Sequence, residues 1–181
     1  FATLRRYGFN MVTISCLRHL PRPKADQNGE ITGKMDFRNL HNLFKLTGTD
    51  FDRYYLNVDI WEKQHQRKDL FGLDFADPAY STAFKNWFRR VLQEFDSIGI
   101  KREQLIICPY DESVSEQAEQ IAGWIKECDP KLKILLDSSS DDLQRIQSID
   151  RYADIWMPHM RTLNQEALAK FHNYIQSTGK P

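Results

Sequence analysis

The feature that most constrains this chain is a regular alternation between two hydrophobic periods. Short runs rich in β-branched, aliphatic and aromatic residues occupy positions 12–15, 54–61, 105–110, 132–137 and 154–157, which is the length and composition of strands. Between them the spacing of apolar residues changes. Phe84, Trp87, Phe88, Val91, Leu92 and Phe95 recur at helical intervals, as do Ala118, Ile121, Ala122 and Ile125, so each set forms one stripe of an amphipathic helix. Leu143 with Ile146, then Leu168, Phe171 and Tyr174, predict two more helices, and Phe37, Leu40 and Phe44 an earlier one. Strands separated by helical crossovers pair in parallel, so the predicted class is α/β.

The number of elements sharpens that expectation. About five strands are visible, and a closed eight-stranded barrel would need about three more. Residues 4–10 read as the tail of a helix ended by Gly8 and running into a strand, and residues 171–178 as the end of another, capped by Gly179. The expected architecture is a single domain over residues 1–181: a partial TIM (β/α)8 barrel of about five parallel strands, barrel strands 2 to 6, with the first and last strands missing. A complete open sheet of five strands is the alternative. Unpaired strand edges in either arrangement invite self-association. Two long connections, 17–36 and 62–78, carry Pro21, Pro23, Asn28-Gly29, Gly72 and Pro78 and follow strands. In a parallel barrel the loops after strands share one face, where active sites sit.

Composition removes several classes of function. Hydrophobic residues make up 41% and charged residues 28% of the chain, with 25 basic against 25 acidic side chains. That balance leaves no excess of positive charge to neutralise phosphates, so no nucleic-acid partner is expected. No apolar run approaches the roughly 20 residues of a membrane span, and no charged start followed by an apolar stretch marks a signal peptide. Cys16, Cys108 and Cys128 are odd in number and lack Cys-x-x-Cys spacing, which suits small core residues better than a disulfide or zinc framework. Gly-rich phosphate loops, a Gly-x-Ser-x-Gly elbow and a His-Glu-x-x-His helix are all missing, and the five histidines show no metal-ligand spacing. Neither a cofactor nor a metal is called for.

The most informative stretch is 105–113, an apolar run that ends in Tyr110-Asp111-Glu112 before a helix. Two carboxyl groups are what glycoside hydrolysis needs: one protonates the departing oxygen, and the other serves as base, nucleophile or electrostatic support. Consecutive side chains on a strand point to opposite faces, so at least one of the pair must already lie on the loop. A structural role competes with this one, because Ser113-Val114-Ser115-Glu116 reads as a capping box and acids near a helix N-terminus stabilise it. In the run 54–61, alternation turns Leu56, Val58 and Ile60 towards covering helices and Asn57, Asp59 and Trp61 towards the interior. Asp59 is then a candidate for holding a sugar hydroxyl and Trp61 for stacking on a ring. Asp137, Trp156 and His159 stand at later strand ends and are candidates for lining the same pocket, with Tyr110 beside the acids.

The segments Tyr110-Asp111-Glu112-Ser113, Asp129-Pro130-Lys131-Leu132-Lys133-Ile134 and Ala153-Asp154-Ile155-Trp156-Met157-Pro158 resemble glycoside hydrolase family 123 and its bacterial barrel relatives. The likeness extends over the chain in element order. In that family an adjacent Asp-Glu pair ends the fourth barrel strand, which the run at 105–110 becomes if one strand precedes Phe1. The resemblance implies a retaining β-N-acetylgalactosaminidase-like reaction on a carbohydrate substrate, secreted or periplasmic, in which the substrate's acetamido oxygen attacks the anomeric carbon. By that resemblance Asp111 orients the acetamido group and Glu112 acts as general acid and then base. The family usually has proline after the Glu, where this chain has Ser113. Two readings stand beside it: a retaining barrel glycosidase with Glu112 as acid and base and a nucleophile outside this sequence, and a non-catalytic carbohydrate-binding barrel.

Overall fold

The computed structural model describes residues 8–58, 71–138, 140, 142–158 and 164–180. Five strands form one sheet: β1 (Met11–Ser15), β2 (Arg53–Asn57), β3 (Leu105–Cys108), β4 (Lys133–Ser138) and β5 (Ile155–Pro158). Every neighbouring pair is parallel, and the spatial order is β1-β2-β3-β4-β5, identical to the chain order. Six helices accompany it among the described residues: α1 (Cys16–His19), α2 (Arg38–Thr47), α3 (Pro78–Ser97), α4 (Glu116–Cys128), α5 (Leu143–Ile149) and α6 (Gln165–Thr178). The α/β class and the predicted parallel pairing are both present.

Right-handed crossovers between strands that follow one another in space return every helix to the same side. Burial follows that rule. Val12, Ile14, Tyr54, Leu56, Val58, Leu105, Ile107, Ile134, Leu136 and Trp156 are buried in the core with the apolar stripes of α2 to α6. Their alternates Thr13, Tyr55, Asn57, Ile106, Leu135, Ile155 and Met157 are half-buried or exposed, while Cys108 and Asp137, on the same face near the strand C-termini, are buried. A parallel sheet is ordinarily covered on both faces; among the described residues the apolar helix stripes pack on one face and leave the other open, and that open face carries Tyr55, Asn57, Cys108 and Asp137.

The long connection 17–36 is folded onto α3. Asp26 Oδ1 accepts from the amides of Asn28 and Glu30, both at 2.9 Å, and Gly29 N donates to Asp26 O at 3.0 Å, the turn that Asn28-Gly29 predicts. Gly29 has φ +80°, and a Cβ built there would stand 2.5 Å from the Ala79 carbonyl oxygen and 2.9 Å from Ala83 N. Its missing side chain is what lets the loop meet the first turns of α3. Gly29→Ala is therefore expected to destabilise the protein by about 2–3 kcal/mol, combining left-handed strain with a backbone clash, read as a lower urea midpoint with unchanged m.

One local expectation is corrected. The helix after the acids begins at Glu116 with Ser115 as its N-cap, accepting from Ala118 N, while Ser113 Oγ accepts from Ser115 N at 3.2 Å; no capping box starts at Ser113, because its hydroxyl is used one turn too early. The helix tail expected over residues 4–10 falls mostly outside the described residues, as do positions 59–61 of the second strand run. Gly179 ends α6 in the left-handed conformation, as predicted.

Candidate functional site

The open face acquires chemistry towards the C-terminal ends of the central strands. Register places Tyr55 beside Ile106, Asn57 beside Cys108, and Asp137 beside Met157. The side chains of Tyr55 and Cys108 are hydrogen-bonded to each other, and Cys108 Sγ donates to the Tyr110 carbonyl at 3.4 Å. Burial, then the Cys108 beside it and the charges of Asp111 and Asp137, hold the Tyr55 phenol far above its ordinary range. Burial likewise pushes the Cys108 thiol up to about 12, against the Tyr55 hydrogen bond and with Asp111 and Asp137 adding to the rise. Asp111 and Asp137, twenty-six positions apart in the chain, thus act on the same two side chains.

Cys108 is consequently no nucleophile at neutral pH. At pH 8 a thiol at about 12 is ionised to roughly one part in ten thousand. Native-state alkylation should reach half-exposed Cys128 first and Cys108 last, with the Cys108 rate still rising through pH 9; early labelling of Cys108 by peptide mass spectrometry would contradict this electrostatic environment.

The loop carrying the acids is held from outside the sheet. Val114 is buried, and its carbonyl accepts from Arg145 Nε of α5 at 2.5 Å. Arg145 in turn pairs with Glu119 of α4 at 2.6 Å. Asp111 and Glu112 themselves are exposed, and Glu112 has φ +50°, a left-handed backbone in a residue with a long side chain. Both acids precede the N-cap Ser115, so the first helical turn is supplied with charge by Glu116 and Glu119 instead. Neither acid is the N-cap of this helix.

The chain matches no protein-family model and no curated protein.

The remaining candidates separate. Tyr110 is buried in the core, contributing its carbonyl to Cys108. Asp137 is 6% exposed on β4. Trp156, expected to line the pocket, is instead turned to the covered face: its ring meets Phe171 of α6 edge-on at 5.5 Å and its indole N–H donates to Asp150 Oδ1 at 2.7 Å. It pairs with Leu136, one residue out of phase with Asp137, so alternation separates it from the acids. The β5 residues on the open face are Ile155 and Met157. Asp59, Trp61 and His159 lie outside the described residues. Tyr55 was not singled out from the sequence, although its alternation with Tyr54 and Leu56 gives the signal: it shares its face with Asn57.

Three concavities are lined by none of Tyr110, Asp111, Glu112 and Asp137, although Trp156 lines the second. One lies at the opposite end of the sheet among Asn10, Asp52, Arg53, Lys101 and Gln104; one is an apolar groove between β5 and α6; the third lies between α3 and α4. No cluster of three or more His, Cys, Asp or Glu among the described residues could hold a metal ion, and no described helix is long and apolar enough to cross a membrane.

Proposed function

We propose that the five strands are part of a (β/α)-barrel and that the protein is a retaining β-N-acetylhexosaminidase-like glycoside hydrolase. The observation that carries this reading is the open sheet face, where Asp111 and Asp137 act on Tyr55 and Cys108 beside strands that follow one another in space. Sequential parallel strands with one uncovered, partly polar face are what an arc of barrel wall presents to its interior, and catalytic groups of such barrels sit at the C-terminal strand ends. The left-handed backbone of Glu112 adds support, since strained residues gather at active sites.

In this reaction the acetamido oxygen of the substrate attacks C1 while the Glu112 carboxyl gives its proton to the departing glycosidic oxygen. Asp111 orients the acetamido group and supports the positive charge that develops on it. Water then attacks C1, Glu112 takes its proton, and the acetamido group is restored, so configuration is retained. Tyr55, held neutral, can only offer its hydroxyl as a hydrogen-bond partner.

The test compares aryl β-N-acetylhexosaminides with the matching 2-hydroxy glycosides. Turnover confined to the acetamido sugars, and lowered by Asp111→Asn, is expected. Equal turnover of the 2-hydroxy series would move the role of nucleophile to a carboxylate elsewhere, and sugar binding without any turnover would leave a binding barrel.

A further inference from the structure

The groove between α3 and α4 has a volume of about 450 Å³, within the roughly 300–1,000 Å³ of small-molecule sites. Its floor is aromatic. Trp124 of α4 is half-buried, and its ring lies 5.5 Å from Phe75 with 36° between their planes. Tyr80 at 5.9 Å and Phe84 at 5.6 Å also pack against the indole. That packing fixes the ring, so a ligand stacking on it need not order it first. The walls are polar: Asp77 and Ser81 come from the start of α3, and Glu116, Gln117 and Gln120 from the first turns of α4. Neither lysine nor arginine lines the groove, which disfavours an anionic ligand.

We propose that this groove binds a neutral carbohydrate chain, with a sugar ring on Trp124 and the amides of Gln117 and Gln120 bonded to its hydroxyls. An amide presents donor and acceptor side by side, the pattern that vicinal hydroxyls match, and Asp77, whose Oδ1 caps α3 by accepting from Ala79 N at 2.8 Å, adds an acceptor through its second oxygen. Helix α4 starts directly after the loop bearing Asp111 and Glu112, so the groove opens at the end of the sheet where those acids stand. It serves there as a remote subsite for an extended glycan. Its link to cleavage rests on the glycosidase reading; the binding itself does not.

The experiment titrates the chain carrying Glu112→Gln, which prevents turnover, with triacetylchitotriose, followed by calorimetry and tryptophan fluorescence. Saturable binding is expected, weakened about tenfold by Trp124→Ala and about threefold by Gln117→Ala or Gln120→Ala. Both glutamines are exposed, so they decide the matter if Trp124→Ala fails to fold. No saturable binding by about 10 mM sugar, affinity unchanged by the groove variants, or displacement of the sugar by a proline-rich peptide that alone depends on Trp124 would overturn the inference. Binding through the groove in a protein that cleaves no glycoside would remove the glycosidase reading alone; cleavage of aryl N-acetylhexosaminides without groove-dependent binding would remove this inference alone.

Discussion

Glu112→Gln should lower kcat on an N-acetylhexosaminide by about 10²–10⁴-fold, the range supplied by a positioned general acid and base, if the proposed reaction is the protein's own. Glutamine keeps the size and planarity of the carboxyl group but can neither give up nor take a proton at neutral pH. KM should change little, because the proton moves only on the way to the transition state. The loss should also depend on the departing group. Aryl oxides that leave without protonation need the acid least, so a nitrophenyl substrate should lose less than an unactivated disaccharide. Because Glu112 adopts φ +50°, which glutamine tolerates no worse than glutamate, the fold should be unaffected and the unfolding midpoint should match wild type. Undiminished turnover of both substrate types would remove Glu112 from the chemistry.

Trp87→Ala should cost about 3–5 kcal/mol of folding stability, measured by urea unfolding. Trp87 is 0% exposed and its ring packs 6.1 Å from Phe71, 5.6 Å from Phe84 and 6.1 Å from Phe88. The indole N–H donates to the Pro21 carbonyl at 3.0 Å, so one side chain joins α3 to the connection after β1. Alanine would leave a cavity and a carbonyl without its donor. Trp87→Phe separates the two contributions, since it keeps most of the packing and should lose about 1–2 kcal/mol. A change below about 1 kcal/mol for the alanine variant would mean that the aromatic cluster repacks freely.

These two residues differ in how well the sequence announces them. Trp87 belongs to a stripe of six apolar positions with helical spacing, and a stripe of that length can only be a buried helix face. Strand β2 is legible through its alternation, which gives Leu56 to the helices and Asn57, with Tyr55, to the side that holds the candidates. What alternation does not give is the role of Tyr55 there, which comes from Cys108, Asp111 and Asp137 and reaches it only through the fold. Trp156 is misread from the sequence for another reason. Its place at a strand end is visible in the sequence, but the phase of β5 relative to β4 is set by pairing, and Leu136 beside Trp156 sends the ring to α6. The helix start after the acids was misplaced because Ser113 and Ser115 both suit a cap, and the choice depends on backbone angles. Loop 17–36 was the reverse case, since Asn28-Gly29 carries its turn geometry in its own chemistry.

A sheet whose described helices pack on one side divides its residues into two sets under different constraints. At Leu56, Ile107 and Leu136, volume is fixed by neighbours packed from above, and exchange is confined to side chains of matching shape. At Tyr55, Ile106 and Leu135, the preceding position in each strand, the half-buried side chains face the side that carries Cys108 and Asp137, so exchange there alters the chemistry of that face while the framework beneath it stays unchanged.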